Sequence, residues 1–201
     1  NTGKKEHEIN FFKSKEAMKE GYHKAGIPVA RYHIPSTYEL GLEFIKEVGY
    51  PVIVKPDNGV GAYNTYKITN EEELKAFYYE HFPSIKYIME EFIKGDLISY
   101  DGITNGEADV VFHSNEVFLD PVMNIVNEHL DCHYYSNKEM PKDLEEAGKK
   151  VLKAFDAKYR YFHLEFFRLT KGKKGLGKKG DIVGLEVNMR SPGGYTPDMI
   201  N

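Results

Sequence analysis

Residues 184–194 read GLEVNMRSPGG, and their start has the alternating pattern of a β-strand. In an extended chain the apolar side chains of this stretch point to one face and the polar side chains to the other. The polar face then carries a carboxylate, an amide and a guanidinium in a row, from Glu186, Asn188 and Arg190. This row marks the strand as a candidate site.

The preceding strand supplies a partner for the carboxylate. Residues 160–169 and 181–190 are both strand-like, and a hairpin turning between Gly175 and Leu176 would place Glu165 opposite Glu186. Opposed like charges destabilise a sheet unless a positive group lies between them. Mg²⁺ binds carboxylate and amide oxygens together with phosphate and water, so a metal site is one explanation. A solvent-facing polar strand in a shifted register is the other.

The segment that joins the two strands resembles two phosphate-binding motifs. In TKGKKGLGKKGD, residues 170–181, the glycine spacing satisfies G-x-G-x-x-G, and a P-loop is incomplete only because Lys179 stands where Ser or Thr belongs. Both motifs need a following helix, because the phosphate lies at the helix N-terminus. The residues after Gly180 are strand-like instead, so we predict a solvated hairpin tip.

Composition indicates a folded protein that acts on small molecules. The 201 residues are 41% hydrophobic, and the formal net charge of −4 with a pI near 6.1 gives no basic field for nucleic acid. We find neither a membrane-length apolar run nor a signal peptide, which predicts a cytoplasmic protein without a membrane partner. The single Cys132 excludes an internal disulfide framework. Because the chain starts at Asn1, we expect a piece of a longer protein.

The order of elements predicts an α+β fold with mostly antiparallel sheet. We predict helices near residues 14–25, 37–48, 70–82 and 141–157, with Ser36 capping the second and Thr69 and Glu72 forming a capping box for the third. Strands are predicted near residues 50–56, 63–68 and 86–93, and a β region spans 96–136 with a turn at Asn105 and Gly106.

A lysine ends the apolar strand PVIVKP, and a glycine-containing loop follows it. Lys55 precedes DNGVGA, residues 57–62, whose glycines can bring backbone N–H groups against phosphate oxygens. Taken alone, this pattern is also typical of an ordinary strand exit.

Two histidine patterns are interpreted as structural. In residues 113–137, the spacing of His113, His129, Cys132 and His133 matches no regular zinc site, and we interpret the region as strand and loop bordering a cleft. We expect His163, near Glu165, to be a hydrogen-bonded structural histidine.

Together and in this order, the motifs resemble the ATP-grasp superfamily, which includes biotin carboxylase, the carbamoyl-phosphate synthase large subunit and amino-acid ligases. The resemblance covers about residues 11–200 and is most specific at HLEFF and GLEVNMR, which match the paired metal-binding acids and the E-x-N-x-R ending. It implies ATP and Mg²⁺, or Mn²⁺, as cofactors. The implied metal ligands are Glu165, Glu186 and Asn188, with Arg190 acting on the transferring phosphate or the acyl phosphate.

The resemblance also implies a nucleotide site. Lys55 would be the phosphate lysine, DNGVGA the lid, and Lys15 a second ATP lysine eleven residues before Gly26, although Lys13 is close enough to compete. MEEFI would be the adenine hinge, with backbone groups from Glu91 and Ile93. The implied nucleotide-binding residues are Lys15, Lys55, Asn58, Gly59, Gly61, Glu90, Glu91, Phe92, Ile93 and Asp96.

The resemblance finally implies domains and a reaction. Two α+β subdomains with mostly antiparallel sheets would hold ATP between them, with residues 1–10 as a linker, 11–95 bearing the lid and 96–201 binding metal. Arg190 and Lys55 would be catalytic in a ligase that activates a carboxylate as an acyl phosphate for an amine. Activation of bicarbonate, as in carbamoyl-phosphate synthase or biotin carboxylase, and a non-catalytic ATP-binding module are the alternatives. The implied partners are ATP and a small carboxylate or amine, with a homodimer as a further expectation.

Overall fold

Antiparallel sheets and helices form the part of the chain that this computed structural model describes, which is residues 9–59, 64–81, 85–119, 131–193 and 196. A four-stranded and a six-stranded sheet give the predicted α+β class. Over these same residues, every helix is too short or too polar to cross a membrane.

The helices lie close to the predicted positions. They are α1 (Lys15–Lys24), α2 (Tyr38–Val48), α3 (Glu71–Glu80) and α4 (Lys142–Ala154), and a short 3-10 helix, Asn10–Phe12, precedes α1.

Two predicted helix caps are wrong by one residue. Thr37, not Ser36, caps α2, and Asn70, not Thr69, caps α3. In each case the capping side chain accepts from the amide three residues later, so it must belong to the last extended residue. The second member of the α3 capping box is accordingly Glu73, whose carboxylate accepts from the Thr69 amide at 2.7 Å.

The smaller sheet has the order β1-β4-β2-β3. Its strands are β1 (Tyr32–His33), β2 (Val52–Pro56), β3 (Tyr66–Ile68) and β4 (Tyr87–Glu91). Helices α2 and α3 pack on one face, where Val54 and Met89 join Phe44 and Phe77 in a buried cluster. Because side chains alternate along a strand, Lys55 and Glu90 lie on the opposite face.

The larger sheet has the order β10-β9-β5-β7-β8, with β6 also pairing with β5. Its strands are β5 (Gly95–Thr104), β6 (Val110–Ser114), β7 (Val117–Phe118), β8 (Tyr134–Tyr135), β9 (Tyr161–Leu169) and β10 (Ile182–Asn188). Helices α1 and α4 cover one face, where Leu164, Phe166 and Val187 are buried with Tyr22 and Leu152. His163 and Glu165 therefore lie on the other face.

The hairpin of β9 and β10 pairs Glu165 with Glu186, as the sequence predicts. The pairing depends on an irregularity that the sequence analysis did not foresee. Near the turn, Gly184 pairs with Phe166, and the register then shifts by one residue across Leu185. This β-bulge turns Glu186 to the face that carries Glu165.

The predicted domain boundary near residue 95 stays a prediction, and the packing of α1 bears on it. β5 begins at Gly95, but α1 belongs with the larger sheet, because Met18 and Tyr22 are buried in its core. Gly184 allows this close packing, since a Cβ atom there would lie 2.4 Å from the Tyr22 ring. Among the described residues, the strands of the smaller sheet lie between Tyr32 and Glu91, and α1 packs on the larger sheet.

Candidate active site

Helix α1 lies between the two sheets and directs three polar side chains inward. Lys15, Lys19 and Tyr22 follow one another at spacings of four and three residues, which places them on one helix face. All three are buried, with exposures of 4%, 1% and 0%. The helix is fixed at its start by Ser14, which caps it and donates to the carboxylate of Asp57.

Lys15 connects the first half of the glycine-containing loop to the last strand. Its amine lies 3.1 Å from the Glu186 carboxylate and donates to the carbonyl oxygen of Gly59 at 3.0 Å. Lys13, the competing candidate, is exposed. The structure therefore brings Lys15, and not Lys13, to the strand that carries the candidate metal ligands.

Lys55 and Lys19 share one carboxylate. Both amines lie 3.1 Å from the same oxygen of Glu90. Burial lowers the pKa of Lys19. Burial also acts to lower the pKa of Lys55, but attraction to Glu90 and then Glu186 outweighs it, and the net pKa of Lys55 is raised. Lys55 therefore keeps its charge in the cleft.

Glu165 and Glu186, paired across β9 and β10, are held by one buried hydroxyl. The Tyr22 oxygen lies 3.0 Å from the carbonyl oxygen of Glu165 and 2.8 Å from that of Glu186. This contact anchors the backbone at the bulge, where regular strand pairing is interrupted. Each carboxylate also has its own cation, Lys15 for Glu186 and His163 for Glu165.

The donor set at this hairpin fits a hard divalent cation. Asn188 pairs with His163, two register positions beyond the pair of Glu165 and Glu186 and therefore on the same face. Two carboxylates and an amide thus lie within two residue pairs, and oxygen donors of these kinds are the ones Mg²⁺ takes in proteins. The Asn188 amide nitrogen is buried without a hydrogen bond in the described structure. No hydrogen bond from that nitrogen therefore fixes the orientation of the Asn188 side chain.

His163 belongs to a buried hydrogen-bond network. Its Nδ1 atom lies 2.5 Å from the Asp101 carboxylate, and its Nε2 atom lies 3.0 Å from Glu165. Burial acts to lower the pKa of His163, but these two carboxylates outweigh it and raise the pKa to about 10. Asp101, Glu116 and His163 cluster closely, and both ring nitrogens of the histidine face carboxylates, which accept hydrogen bonds.

Arg190 lies beyond the regular strand, because β10 ends at Asn188. Its guanidinium donates to the carbonyl oxygen of Ser191 at 2.9 Å. Within the described residues, no carboxylate forms an ion pair with it, and the side chain is exposed. The simple extrapolation of strand alternation to residue 190 therefore needs correction, but the guanidinium is accessible.

The expected hinge begins within the last residues of β4 and continues beyond it. Some of its backbone groups form hydrogen bonds within the protein, and others do not. The Glu91 amide donates to the carbonyl oxygen of Arg31, and the carbonyl oxygen of Phe92 accepts from Lys173. Among the described residues, nothing engages the Ile93 amide. The Glu91 side chain is fully buried against Arg31 and Lys173.

The expected lid lies only partly within the described residues. Asn58 and Gly59 are exposed, whereas Gly61 lies outside the described residues. The loop starts from Asp57, which is buried and accepts from Ser14 and from the Glu16 amide. The base of the loop is therefore fixed to the start of α1.

Asp96 is separated from this group. It pairs with Arg168 and shares the α4 side of the sheet with Ile98 and Tyr100, because strand alternation places these residues together. The expectation of a ribose contact from Asp96 is corrected on this ground. Leu97, one residue further, lies on the cleft side instead.

The region interpreted as strand and loop contains β6, β7 and β8, as far as it is described. His113 contacts the Tyr100 hydroxyl at 3.1 Å, and Cys132 is exposed. His129 lies outside the described residues.

The predicted hairpin tip is only partly solvated. Strand β10 follows it, which confirms the reason for rejecting a P-loop. However, Leu176 is buried beside Ile93 and Val183, and Lys173 reaches the hinge. The segment therefore folds back onto the protein.

Four residues were missed by sequence reasoning: Lys19, Tyr22, Asp57 and Lys173. A signal was present for two of them, because Lys19 and Tyr22 repeat the helical spacing from Lys15. Asp57 and Lys173 gave no such signal, since their partners are distant in sequence.

Comparison with known proteins identifies the family and the fold. A sequence model described as an ATP-grasp domain matches residues 23–193. D-alanine–D-alanine ligase B of Clostridium perfringens is 30% identical over 142 residues, which cover 69% of this chain and 42% of that ligase. The chain thus spans less than half the length of this relative.

Solved structures share the fold. Carboxyaminoimidazole ribonucleotide synthase of Aspergillus clavatus, complexed with ATP, superposes with a TM-score of 0.73 at 18% identity, covering 96% of this chain and 49% of the synthase. The ligase PsnB, complexed with minimal precursor, Mg and ADP, gives 0.68 at 19% identity and covers 96% and 55% of the two chains.

Proposed function

The chain belongs to the ATP-grasp family, and from that membership we propose that it is the ATP-binding part of a ligase that joins a carboxylate to an amine. The observation that carries the proposal is the ion pair of Lys15 and Glu186 at 3.1 Å. It brings a buried cation suited to phosphate beside a carboxylate suited to metal. Mg-ATP carries both kinds of group.

The proposed nucleotide site lies along α1 and the smaller sheet. Lys15 and Lys55 would contact phosphate oxygens as point charges. Lys19 stays with Glu90, so Lys55 can leave that carboxylate without exposing an uncompensated buried charge. The backbone after β4 would contact the base.

Glu165, Glu186 and Asn188 are the residues that would hold a divalent cation. When bound, the cation would supply positive charge against the phosphoryl oxygens. His163 would keep one carboxylate oriented, since it donates to Glu165 and is itself fixed by Asp101. Relatives in this family include a structure solved with Mg and ADP.

The proposed reaction has two steps. A carboxylate oxygen attacks the γ-phosphorus of ATP and the bond to the β-phosphate oxygen breaks, which gives an acyl phosphate and ADP. The amine nitrogen then attacks the acyl carbon, phosphate leaves, and the nitrogen loses a proton. Arg190 would bind phosphoryl or acyl-phosphate oxygens through its forked donors.

The test is ADP release by the full-length protein with Mg-ATP and a panel of carboxylates and amines. We expect release that requires one carboxylate and one amine together. Glu165→Gln should abolish it, whereas Glu107→Gln, an exposed control, should not change it. ADP release that needs bicarbonate instead would support the carbamoyl-phosphate synthase or biotin carboxylase type. ATP binding without release under any condition would overturn the proposal.

A further inference from the structure

The Glu91 carboxylate is a buried charge with an unusual set of donors. Its side chain is 0% exposed and lies at the end of β4. The Arg31 amide donates to it at 2.8 Å, and the Arg31 guanidinium donates at 2.9 and 3.2 Å. Lys173, from the hairpin between β9 and β10, adds its amine at 2.9 Å. Two cations from distant parts of the chain thus meet on one carboxylate.

This carboxylate replaces a backbone acceptor. The pairing of Tyr32 with Glu90 continues to Arg31 and Glu91, and the Glu91 amide donates to the Arg31 carbonyl oxygen at 2.9 Å. In a regular antiparallel pair, the Arg31 amide would donate back to the Glu91 carbonyl oxygen. It donates to the Glu91 side chain instead. Among the described residues, the Glu91 carbonyl oxygen is therefore left without a partner.

Other backbone groups of the hinge also form hydrogen bonds within the protein. Lys173 also donates to the Phe92 carbonyl oxygen at 2.9 Å, and the Lys94 carbonyl oxygen accepts from Thr170. The Glu91 carbonyl and the Ile93 amide are among the hinge groups that no described residue engages. The Glu91 carbonyl oxygen can accept from the exocyclic amine of adenine, and the Ile93 amide can donate to a ring nitrogen of the same base. Guanine carries a carbonyl oxygen where adenine carries its amine.

The hairpin tip is ordered enough to hold Lys173 in place. The Lys173 amide donates to the Gly177 carbonyl oxygen at 2.9 Å, and the Lys173 carbonyl oxygen accepts in turn from Gly177 at 3.0 Å. Leu176 is buried beside Ile93. The lysine therefore extends from a closed turn that is packed against the hinge itself.

We propose that Lys173 is a positioning residue that sets the base specificity of the nucleotide site. By binding the Glu91 carboxylate and the Phe92 carbonyl oxygen together, it keeps the hinge presenting the Glu91 carbonyl and the Ile93 amide to adenine. This inference rests on the proposed function, because it requires a nucleotide at the hinge. It assigns a role to the turn that joins β9 and β10.

The test compares dissociation constants for ATP and GTP, measured by calorimetry on the full-length protein. Lys173→Met keeps the apolar stem and leaves Arg31 on Glu91, so the protein should fold. We expect it to weaken ATP binding by about tenfold while GTP binding changes little, the scale of one or two lost hydrogen bonds. Lys174→Met, an exposed neighbour, should preserve the wild-type ratio.

Lys173→Arg is the second variant. It retains a cation for Glu91 and should stay within about threefold of the wild-type ratio of ATP to GTP affinity. An unchanged ratio in Lys173→Met, with wild-type ATP binding intact, would overturn this inference and leave the proposed function standing. Failure of the wild-type protein to bind either nucleotide would overturn both.

Discussion

The amine of Lys15 lies 3.1 Å from the carboxylate of Glu186, and this contact joins the N-terminal helix to the last strand. Phosphate binding by Lys15 and metal binding by Glu186 would each compete with this ion pair. The two events should therefore favour one another, since either one releases a group that the other needs.

Replacing Lys15 should weaken ATP binding. We expect Lys15→Met to raise the ATP dissociation constant at least about tenfold, because a buried cation facing phosphate is lost. Calorimetry in the presence of Mg²⁺ measures this. Lys13→Met is the matched control and should change affinity less than about twofold, since Lys13 is exposed. A larger loss of ATP affinity in Lys13→Met than in Lys15→Met would indicate that Lys13, and not Lys15, contacts the nucleotide.

Replacing Lys55 should also weaken ATP binding without unfolding the protein. In Lys55→Met, Lys19 still neutralises Glu90, so no uncompensated buried carboxylate results. We expect a loss of about tenfold or more in ATP affinity and a similar melting temperature. Lys178→Met, in the segment that mimics a P-loop, serves as the control. Loss of binding in that control alone would contradict the site described above.

Replacing Arg190 should affect turnover more than affinity or stability. Because the side chain is exposed and its hydrogen bond among the described residues goes to the Ser191 carbonyl oxygen, Arg190→Ala should leave the melting temperature nearly unchanged. We expect turnover to fall by about 10²-fold, as when one donor to transition-state charge is removed. Single-turnover phosphoryl transfer measures this, and Arg190→Lys should recover only part of the rate. A large stability loss with normal turnover would indicate a structural role instead.

Removing the Tyr22 hydroxyl should destabilise the hairpin. In Tyr22→Phe, the carbonyl oxygens of Glu165 and Glu186 lose the buried hydroxyl that they share, so we expect a loss of about 1–3 kcal/mol in the free energy of unfolding. Urea denaturation measures it. Tyr79→Phe removes the same atom from a side chain that is 91% exposed, and it should cost almost nothing. Equal effects in the two variants would contradict this account.

Acid should remove the contribution of Glu91 to stability. Burial acts to raise the pKa of Glu91, but Arg31 and Lys173 outweigh it, so the folded-state pKa is lowered. The contribution is therefore present above the unfolded pKa of about 4.3 and is lost as the pH falls through the folded pKa. Urea denaturation across this range should show a steeper loss in the wild type than in Glu91→Gln. Parallel curves would contradict the prediction.

The sequence predicted the fold well where the signal is local. Helices α1 and α2, the apolar strand ending at Lys55 and the hairpin of Glu165 and Glu186 all follow from periodicity and turn residues within one segment. The resemblance to ATP-grasp proteins supplied the rest of the expected site. The family match confirms the resemblance, and the site residues stay predictions.

What the sequence did not predict depends on contacts between distant segments. The packing of α1 on the larger sheet depends on Tyr22 meeting β10, which lies more than a hundred residues away in the chain. The contact of Lys173 with Glu91 likewise depends on how the two sheets are arranged. For Asp96 the difference is local. Moving one residue along a strand changes the face on which a side chain lies, and Asp96 lies on the face away from the cleft.

The bulge at Leu185 determines which residues of β10 face the cleft on each side of it. An alignment of this hairpin with an unbulged relative needs a one-residue gap at Leu185, or apolar positions near the turn will be matched to polar ones. Deleting Leu185 itself would restore regular pairing, with Gly184 still opposite Phe166 and Glu186 still opposite Glu165. Deleting a residue between Ile182 and Gly184 while Leu185 stays would instead change which side chains face the cleft near the turn. Deletions at Leu185 should therefore be tolerated better than deletions elsewhere in β10.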